Sequence, residues 1–186
     1  IISTDKSAAP KSILGMTKRA SELISLNFLK SKNFKSKVNI VRFGNVFASQ
    51  GSVINLFLDQ INNNKKITLT SKKAKRYFMS VQEACNLVLQ VSQLKDVGKI
   101  YILNMGKQVF IFDILKKLLK FKNINFNSVK LVETGLKKGE KLKEKLHISS
   151  KRNKTIHKNI FFVNEPQYKK TIIDNFKNNL VYNLSQ

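Results

Sequence analysis

Ser3-Thr4-Asp5-Lys6, directly behind the apolar pair Ile1-Ile2, is a run of four side chains able to exchange protons or hydrogen bonds. A carboxylate beside a lysine supplies an acid and a base if burial or a neighbouring charge moves their pKa values toward neutrality. The same pair also makes up many ordinary solvated turns, so its surroundings decide its meaning. Lys18 follows Leu14 by four residues, which sets both on one face of a helix. The element that carries them has to start near Pro10, whose fixed φ suits a first helical turn.

The chain alternates helical and extended periodicities. A helix from Pro10 to Lys30 would place Met16, Ala20, Leu23 and Ile24 on its apolar stripe. Val38 to Phe43 reads as a strand ending in a Gly44-Asn45 turn. Gly51-Ser52 then introduces a helix with Val53, Ile54, Phe57 and Ile61, and Ile67 to Leu69 reads as a short strand. Ser80-Val81-Gln82-Glu83 fits a capping box, with Ala84, Leu87, Val88 and Val91 behind it at helical spacing. Lys99 to Leu103 is a strand, Gly106 a turn, and Ile111, Leu115, Leu118 and Leu119 mark another helix. Gly135 to Leu146 reads as a glycine-punctuated loop entering a charged helix, followed past Ser149 by a polar tail. Such alternation implies an α/β fold with a largely parallel sheet. Ligands of open sheets gather beyond the carboxyl ends of the strands. Ser3 to Lys6 and Phe43 to Asn45 both occupy such ends and would share one cleft.

Composition narrows the function classes. The 186 residues are 42% apolar, enough for a core, and no run of eighteen apolar residues marks a membrane span. Cys85 is the single cysteine, which excludes an internal disulfide and a multi-cysteine metal site. Its place beside an apolar helix stripe reads as a buried structural thiol. His147 and His157 are too few and too distant for a zinc site. The net charge of +24 invites a nucleic-acid partner. Yet the excess is lysine, with Arg19, Arg42, Arg76 and Arg152 the only arginines, and the lysines are spread among many asparagines. That mixture reads as compositional drift of an A/T-rich coding sequence, so no nucleic-acid partner is expected. A positive field still favours an anionic small substrate.

Taken in order, S-T-D-K, Pro10, Gly15-x-Thr17-Lys18, V-R-F-G-N-V (41–46) and G-S-V-I (51–54) resemble extended short-chain dehydrogenase/reductases. The resemblance is strongest to the CapD-like polysaccharide-biosynthesis branch, which includes UDP-N-acetylglucosamine 4,6-dehydratases. Arg76-Tyr77-Phe78-Met79-Ser80 is similar to that family's R-x-F-M-(T/S) segment, and Asn104-Met105-Gly106 to its (D/N)-M-G turn. Gly135-Leu136-Lys137-Lys138-Gly139-Glu140-Lys141-Leu142 is similar to its G-L-R-P-G-E-K-L signature. Lys154 to His157 and Glu165-Pro166 resemble its closing segment.

The resemblance implies the C-terminal part of a Rossmann-like domain with a mostly parallel sheet, plus a small substrate-binding α/β subdomain. Residues 1–150 would be that part of an NAD(P)-dependent nucleotide-sugar dehydratase/epimerase domain, and 151–186 a polar C-terminal extension of it. Thr4 would hydrogen-bond the sugar, and Asp5 and Lys6 would be the acid/base pair that eliminates water across C5 and C6. Lys18 would hold the nicotinamide ribose; Asn45, Ser52, Arg76, Lys137 and Glu140 would contact nucleotide and diphosphate. The implied reaction oxidises C4, eliminates water, and returns the hydride to C6, with NADP or NAD as cofactor and a UDP-sugar as substrate. A homo-oligomer is implied for the full-length protein. Its implied place is the cytoplasm, with room for an upstream anchor to the inner membrane in the parent protein.

Three departures qualify the pattern. Leu14 stands where the family's usual catalytic Tyr would fall; the membrane-anchored branch carries Met there. Lys137-Lys138 replaces Arg-Pro, keeping charge but losing the planar fork that grips phosphate. No G-x-x-G-x-x-G loop precedes a helix, although a dinucleotide pyrophosphate needs one. The chain therefore reads as a C-terminal fragment whose glycine-rich half lies upstream, unable to hold the cofactor firmly alone. A UDP-sugar 4-epimerase is the nearest rival, but it has no use for an Asp5-Lys6 elimination pair. A non-catalytic homologue is motivated by Leu14 and Lys138, and a basic nucleic-acid module is the weakest reading.

Overall fold

Short runs rich in isoleucine, valine and phenylalanine pair as strands, and the amphipathic runs between them close over the sheet as helices. The computed structural model describes residues 1–29, 35–47, 49, 51–148 and 151–165. Its first half contains β1 (Ile2–Thr4), α1 (Ile13–Phe28), β2 (Ile40–Phe43), β3 (Asn45–Val46), α2 (Val53–Asn62), β4 (Ile67–Leu69), β5 (Lys75–Arg76) and β6 (Phe78–Met79). There follow α3 (Val81–Ser92), β7 (Ile100–Leu103), β8 (Val109–Phe110), α4 (Ile111–Phe121), β9 (Leu131–Glu133), β10 (Asn153–Lys154) and β11 (Ile160–Val163).

The main sheet has the order β1-β2-β7-β11-β10. β1, β2 and β7 run parallel, and β11 and β10 continue the sheet antiparallel. Because strand side chains alternate between faces, the sheet buries two separate layers. Ile40, Ile100, Ile102 and Val163 pack on one face with Leu26 of α1 and Leu146. Val41, Tyr101 and Ile160 pack on the other with Leu87 and Val91 of α3. A second core joins Phe57 of α2, Ile67 and Leu69 of β4, Ala74, and Ile111, Leu115 and Leu119 of α4. There β4 pairs parallel with β9, Ile67 opposite Leu131. This second core is the small α/β subdomain beside the sheet.

The capping box forms as the sequence implies. Glu83 N–H donates to Ser80 Oγ at 3.1 Å, and Ser80 N–H donates to Glu83 Oε2 at 2.6 Å. The Ser80 backbone donor holds the Glu83 carboxyl below the usual glutamate range. Ser80→Ala is expected to cost about 1 kcal/mol, read as a lower midpoint in thermal unfolding.

Several expectations are corrected. α1 begins at Ile13, because Ser12 is extended (φ −105°) and its hydroxyl caps Gly15 N–H; Pro10 lies outside the helix. The expected helix end at Lys30 lies outside the described residues. The buried stripe of α1 is Gly15, Arg19 and Glu22, while Met16 is 51% exposed. Gly15 is there because a Cβ would sit 2.6 Å from Lys6 O, so the helix presses directly on the turn after β1. Asn45 does not finish a turn but pairs as β3 with Phe78 of β6.

Cys85 is exposed, since the buried stripe of α3 runs Ala84, Leu87, Val91 and the next position is about 100° around the helix. Residues 135–146 form no helix. Gly135 and Gly139 take φ of 80° and 83°, which breaks helical continuation. Lys75 N–H meanwhile takes Leu142 O at 2.7 Å, and Lys143 bridges Lys75, so the segment lies along β5. The tail beyond Glu165 lies outside the described residues. Before it, β10 and β11 belong to the main sheet.

Candidate active site

β1 and β2 run in parallel register with Thr4 opposite Phe43, so both strands leave the sheet at one edge. Thr4 then caps a single 3-10 turn, Asp5–Ser7, by accepting from Lys6 N–H. That placement brings the two predicted segments together: Lys6 Nζ donates to Asp5 Oδ1 at 3.0 Å and to Asn45 Oδ1 at 3.3 Å. Thr4 Oγ1 donates to the same Asp5 oxygen at 2.9 Å. Asp5 is fully buried, and its other oxygen, Oδ2, has no partner among the described residues. The Lys6 side chain is 27% exposed. Lys6 is thus the member of the pair that faces outward, with Asp5 behind it.

What Lys6 faces is a cleft of about 620 Å³ between the sheet edge and the second core. Lys6, Leu14 and Asn45 line one wall; Arg76, Lys137 and Glu140 line the other. Glu140 ties that second wall together. Its Oε1 accepts from Arg76 Nη2 at 3.3 Å and Thr70 Oγ1 at 3.2 Å, and its Oε2 accepts from Lys137 N–H at 3.3 Å. Arg76 also donates through Nη1 to Lys75 O and Leu142 O. With Lys138 on the rim, cations predominate around the opening, which favours an anionic ligand. Apolar Val53, Leu69 and Ile111 give the cleft a surface for a flat or apolar group.

The 137–140 turn reaches this wall because Gly139 packs against the start of α1. A Cβ there would fall 2.5 Å from Lys11 O, at a φ of 83°. Gly139→Ala is therefore expected to cost about 1–3 kcal/mol and lower the thermal unfolding midpoint of the full chain.

Not every predicted residue lines the cleft: Thr4 and the buried Asp5 stand behind Lys6, outside its lining. Ser52 is spent on capping α2, its hydroxyl accepting from Asn55 N–H at 3.3 Å, and Val53 lines the space instead. Lys18 Nζ donates to Ile2 O at 3.4 Å, beside β1 rather than in the cleft. Leu14 lines the cleft and is 54% exposed, with no group able to exchange a proton. For a dinucleotide, the residues present fit one end only. Lys18 and the Asp5–Ser7 turn flank β1, and no glycine-rich cradle is in the sequence.

The largest feature that sequence reading missed lies directly beneath the turn. Arg42 Nη2 and Nε contact Glu22 at 2.6 and 2.7 Å, and Nη1 and Nη2 contact Glu165 at 2.5 and 2.8 Å. Arg19 Nη1 bridges the same two carboxylates at 3.0 and 2.7 Å. Burial would raise the Glu22 pKa, but the Arg42 guanidinium outweighs it and holds the carboxyl below its usual range. Burial likewise works against charge on Arg42, and Glu22 and Glu165 overcome it, raising its pKa. The available signal was Arg42 itself, a charge inside the apolar strand Val38 to Phe43. A cation buried in a sheet has to be paired.

Among the described residues no helix is long and apolar enough to cross a membrane, and no group of three His, Cys, Asp or Glu could hold a metal. The model of the family described as polysaccharide biosynthesis protein matches residues 1–165. The capsular polysaccharide biosynthesis protein CapD of Staphylococcus aureus is 36% identical over 187 residues, covering 100% of this chain. This chain spans 31% of that relative's length. The solved structure of Pen from Bacillus thuringiensis gives a TM-score of 0.78 at 28% identity, covering 90% of this chain and 52% of its own. DesIV, a dTDP-glucose 4,6-dehydratase from Streptomyces venezuelae solved with NAD and TYD bound, gives 0.69 at 20% identity, covering 78% and 49%. The matched span takes in both walls of the cleft and every member of the buried ion quartet. The chain accordingly belongs to the polysaccharide biosynthesis protein family, as a CapD-like member on the extended short-chain dehydrogenase/reductase fold.

Proposed function

We propose that this chain supplies the sugar-binding and acid–base part of a nucleotide-sugar 4,6-dehydratase of the UDP-N-acetylglucosamine type, serving polysaccharide or surface-glycan synthesis. One observation carries the reading: Lys6 Nζ, bonded to Asp5 and Asn45, opens onto a cleft whose far wall is Arg76, Lys137 and Glu140. A UDP diphosphate matches the cationic wall, and the sugar then reaches Lys6.

Bound NAD or NADP supplies the hydride acceptor and donor, with Lys18 as this chain's candidate contact to its ribose. The Asp5–Lys6 pair handles the proton. An amine and a carboxylic acid hold the same total number of protons as the ion pair. In its neutral form Lys6 takes the proton from C5 of the 4-keto sugar, the C5–C6 double bond forms, and the C6–O bond breaks. Lys6, the member that faces the cleft, passes a proton to the departing hydroxyl and is reprotonated by Asp5 behind it, so water leaves and the pair ends as the ion pair. Thr4 and Asn45 fix the two partners. Oxidation releases the proton of the C4 hydroxyl and Leu14 cannot take it, so Thr4 or an ordered water takes that part.

The test incubates the full-length protein with UDP-N-acetylglucosamine and identifies the product by NMR and mass spectrometry. A 4-keto-6-deoxy sugar supports the reading. UDP-N-acetylgalactosamine without loss of water would sink it in favour of a 4-epimerase.

A further inference from the structure

We infer that Glu22 is a positioning residue for the Asp5–Lys6 turn, acting through the two serines that bracket it; this rests on the elimination proposed at Lys6. Ser3 and Ser7 flank Thr4-Asp5-Lys6 in sequence, and both hydroxyls reach one oxygen. Ser3 Oγ donates to Glu22 Oε1 at 2.5 Å and Ser7 Oγ at 2.7 Å. Both serines are buried, so neither hydroxyl can fall back on water if that acceptor moves.

A three-residue 3-10 turn has poor hydrogen-bond geometry of its own. Its position is therefore set from outside. Ser7 Oγ also lies 2.7 Å from Thr4 O, so its single proton is shared between that carbonyl and Glu22. Either way the hydroxyl clamps the turn onto a fixed acceptor. Glu22 is fixed because Arg42 grips both its oxygens, and Arg42 is itself gripped by Glu165. Gly15 adds a steric stop: the helix that carries Glu22 touches Lys6 O with no room for a Cβ. Helix, carboxylate and serines together decide how far Lys6 stands out into the cleft. Glu22 is fully buried and is not among the residues lining the cleft, so its influence passes through the turn.

The ion quartet does not need the serines. Arg19 and Arg42 balance Glu22 and Glu165 without them, so the serine tethers can be cut while the quartet stays neutral. Glu22→Gln would unbalance the quartet and confuse positioning with folding. The informative variant is the double substitution Ser3→Ala/Ser7→Ala.

In the full-length protein this variant is expected to lose about tenfold to a hundredfold in kcat for water loss, with KM changed by less than about twofold. In a Lys6→Ala background the same double substitution is expected to cost nothing further, because the residue being positioned is gone. A purely structural role predicts an equal loss in both backgrounds. The inference is overturned by that equal loss, or by unchanged kcat in the double variant. The product made by the unsubstituted protein reports separately on the dehydratase reading. Coupling between the serines and Lys6 is measured on whichever product forms, so either idea can fail without the other.

Discussion

Lys6→Ala in the full-length protein is expected to lower kcat for water loss by about 10²–10⁴-fold, the usual worth of a general base. Binding of the nucleotide sugar should be nearly unchanged, because the residues matched to the diphosphate sit on the opposite wall, where Arg76 and Lys137 are organised by Glu140. The substitution deletes the amine that is bonded to Asp5 and Asn45 and open to the cleft. It also strands Asp5, whose Oδ1 keeps Thr4 as a donor while Oδ2 has no partner among the described residues. Steady-state kinetics with a parallel titration of UDP binding check both halves. Turnover equal to that of the unsubstituted protein would place the base elsewhere, and loss of binding without loss of kcat would make Lys6 a substrate anchor. A chain that performs no chemistry, as Leu14 permits, would show no effect of Lys6→Ala beyond binding.

Arg42→Leu is expected to destabilise the fold by roughly 3–5 kcal/mol, the cost of leaving buried carboxylates without their partner. Among the described residues Glu22 and Glu165 would then share Arg19 alone. Against the 5–15 kcal/mol that holds a typical domain, the loss should appear as aggregation on expression or as early unfolding in urea. Its pH dependence has a definite sign. The folded-state pKa of Glu22 is depressed, so its stabilising contribution is complete above the ordinary glutamate value of 4.5 and is lost as pH falls through the folded value. In Arg42→Leu the carboxyl lacks that support, and protonation relieves the unpaired charge. The stability gap between variant and parent should narrow as the pH drops below 4.5. A gap that is constant with pH would mean that packing, not charge, explains the loss.

How much of this was written locally in the chain can be judged element by element. The Ser80–Glu83 cap forms because it depends on neighbours within a few residues, and β4 falls on the apolar run Ile67–Leu69 although its partner β9 is distant. The meeting of Lys6 with Asn45 follows from two strand ends in parallel register. α1 misled because its apolar residues suggested the buried side, whereas the face it buries carries Arg19 and Glu22 to meet Arg42. Glu22 and Glu165 lie 20 and 123 residues from Arg42 along the chain, and no local pattern announces them. Residues 135–146 have a helical composition, yet the backbone of β5 claims Leu142 and Lys143. Such a competition is decided only once distant segments meet. β11 was hidden for the same reason, a short apolar run in a polar tail that finds its place beside β7.

The span between Arg42 and Glu165 also bears on how the protein is made. Synthesis proceeds at about 5–20 residues per second, so 123 residues take roughly 6 to 25 s. Throughout that interval Arg42 lacks Glu165, one of its two carboxylate partners. β7 is read out before α4 and β9 of the second core, and β11, its other neighbour in the sheet, only after them. The α2–α4 layer is therefore free to settle first, on the ribosome, while the segment bearing Asp5 and Lys6 waits. The turn that would do the chemistry is translated well before Glu165, the last member of the quartet that braces it.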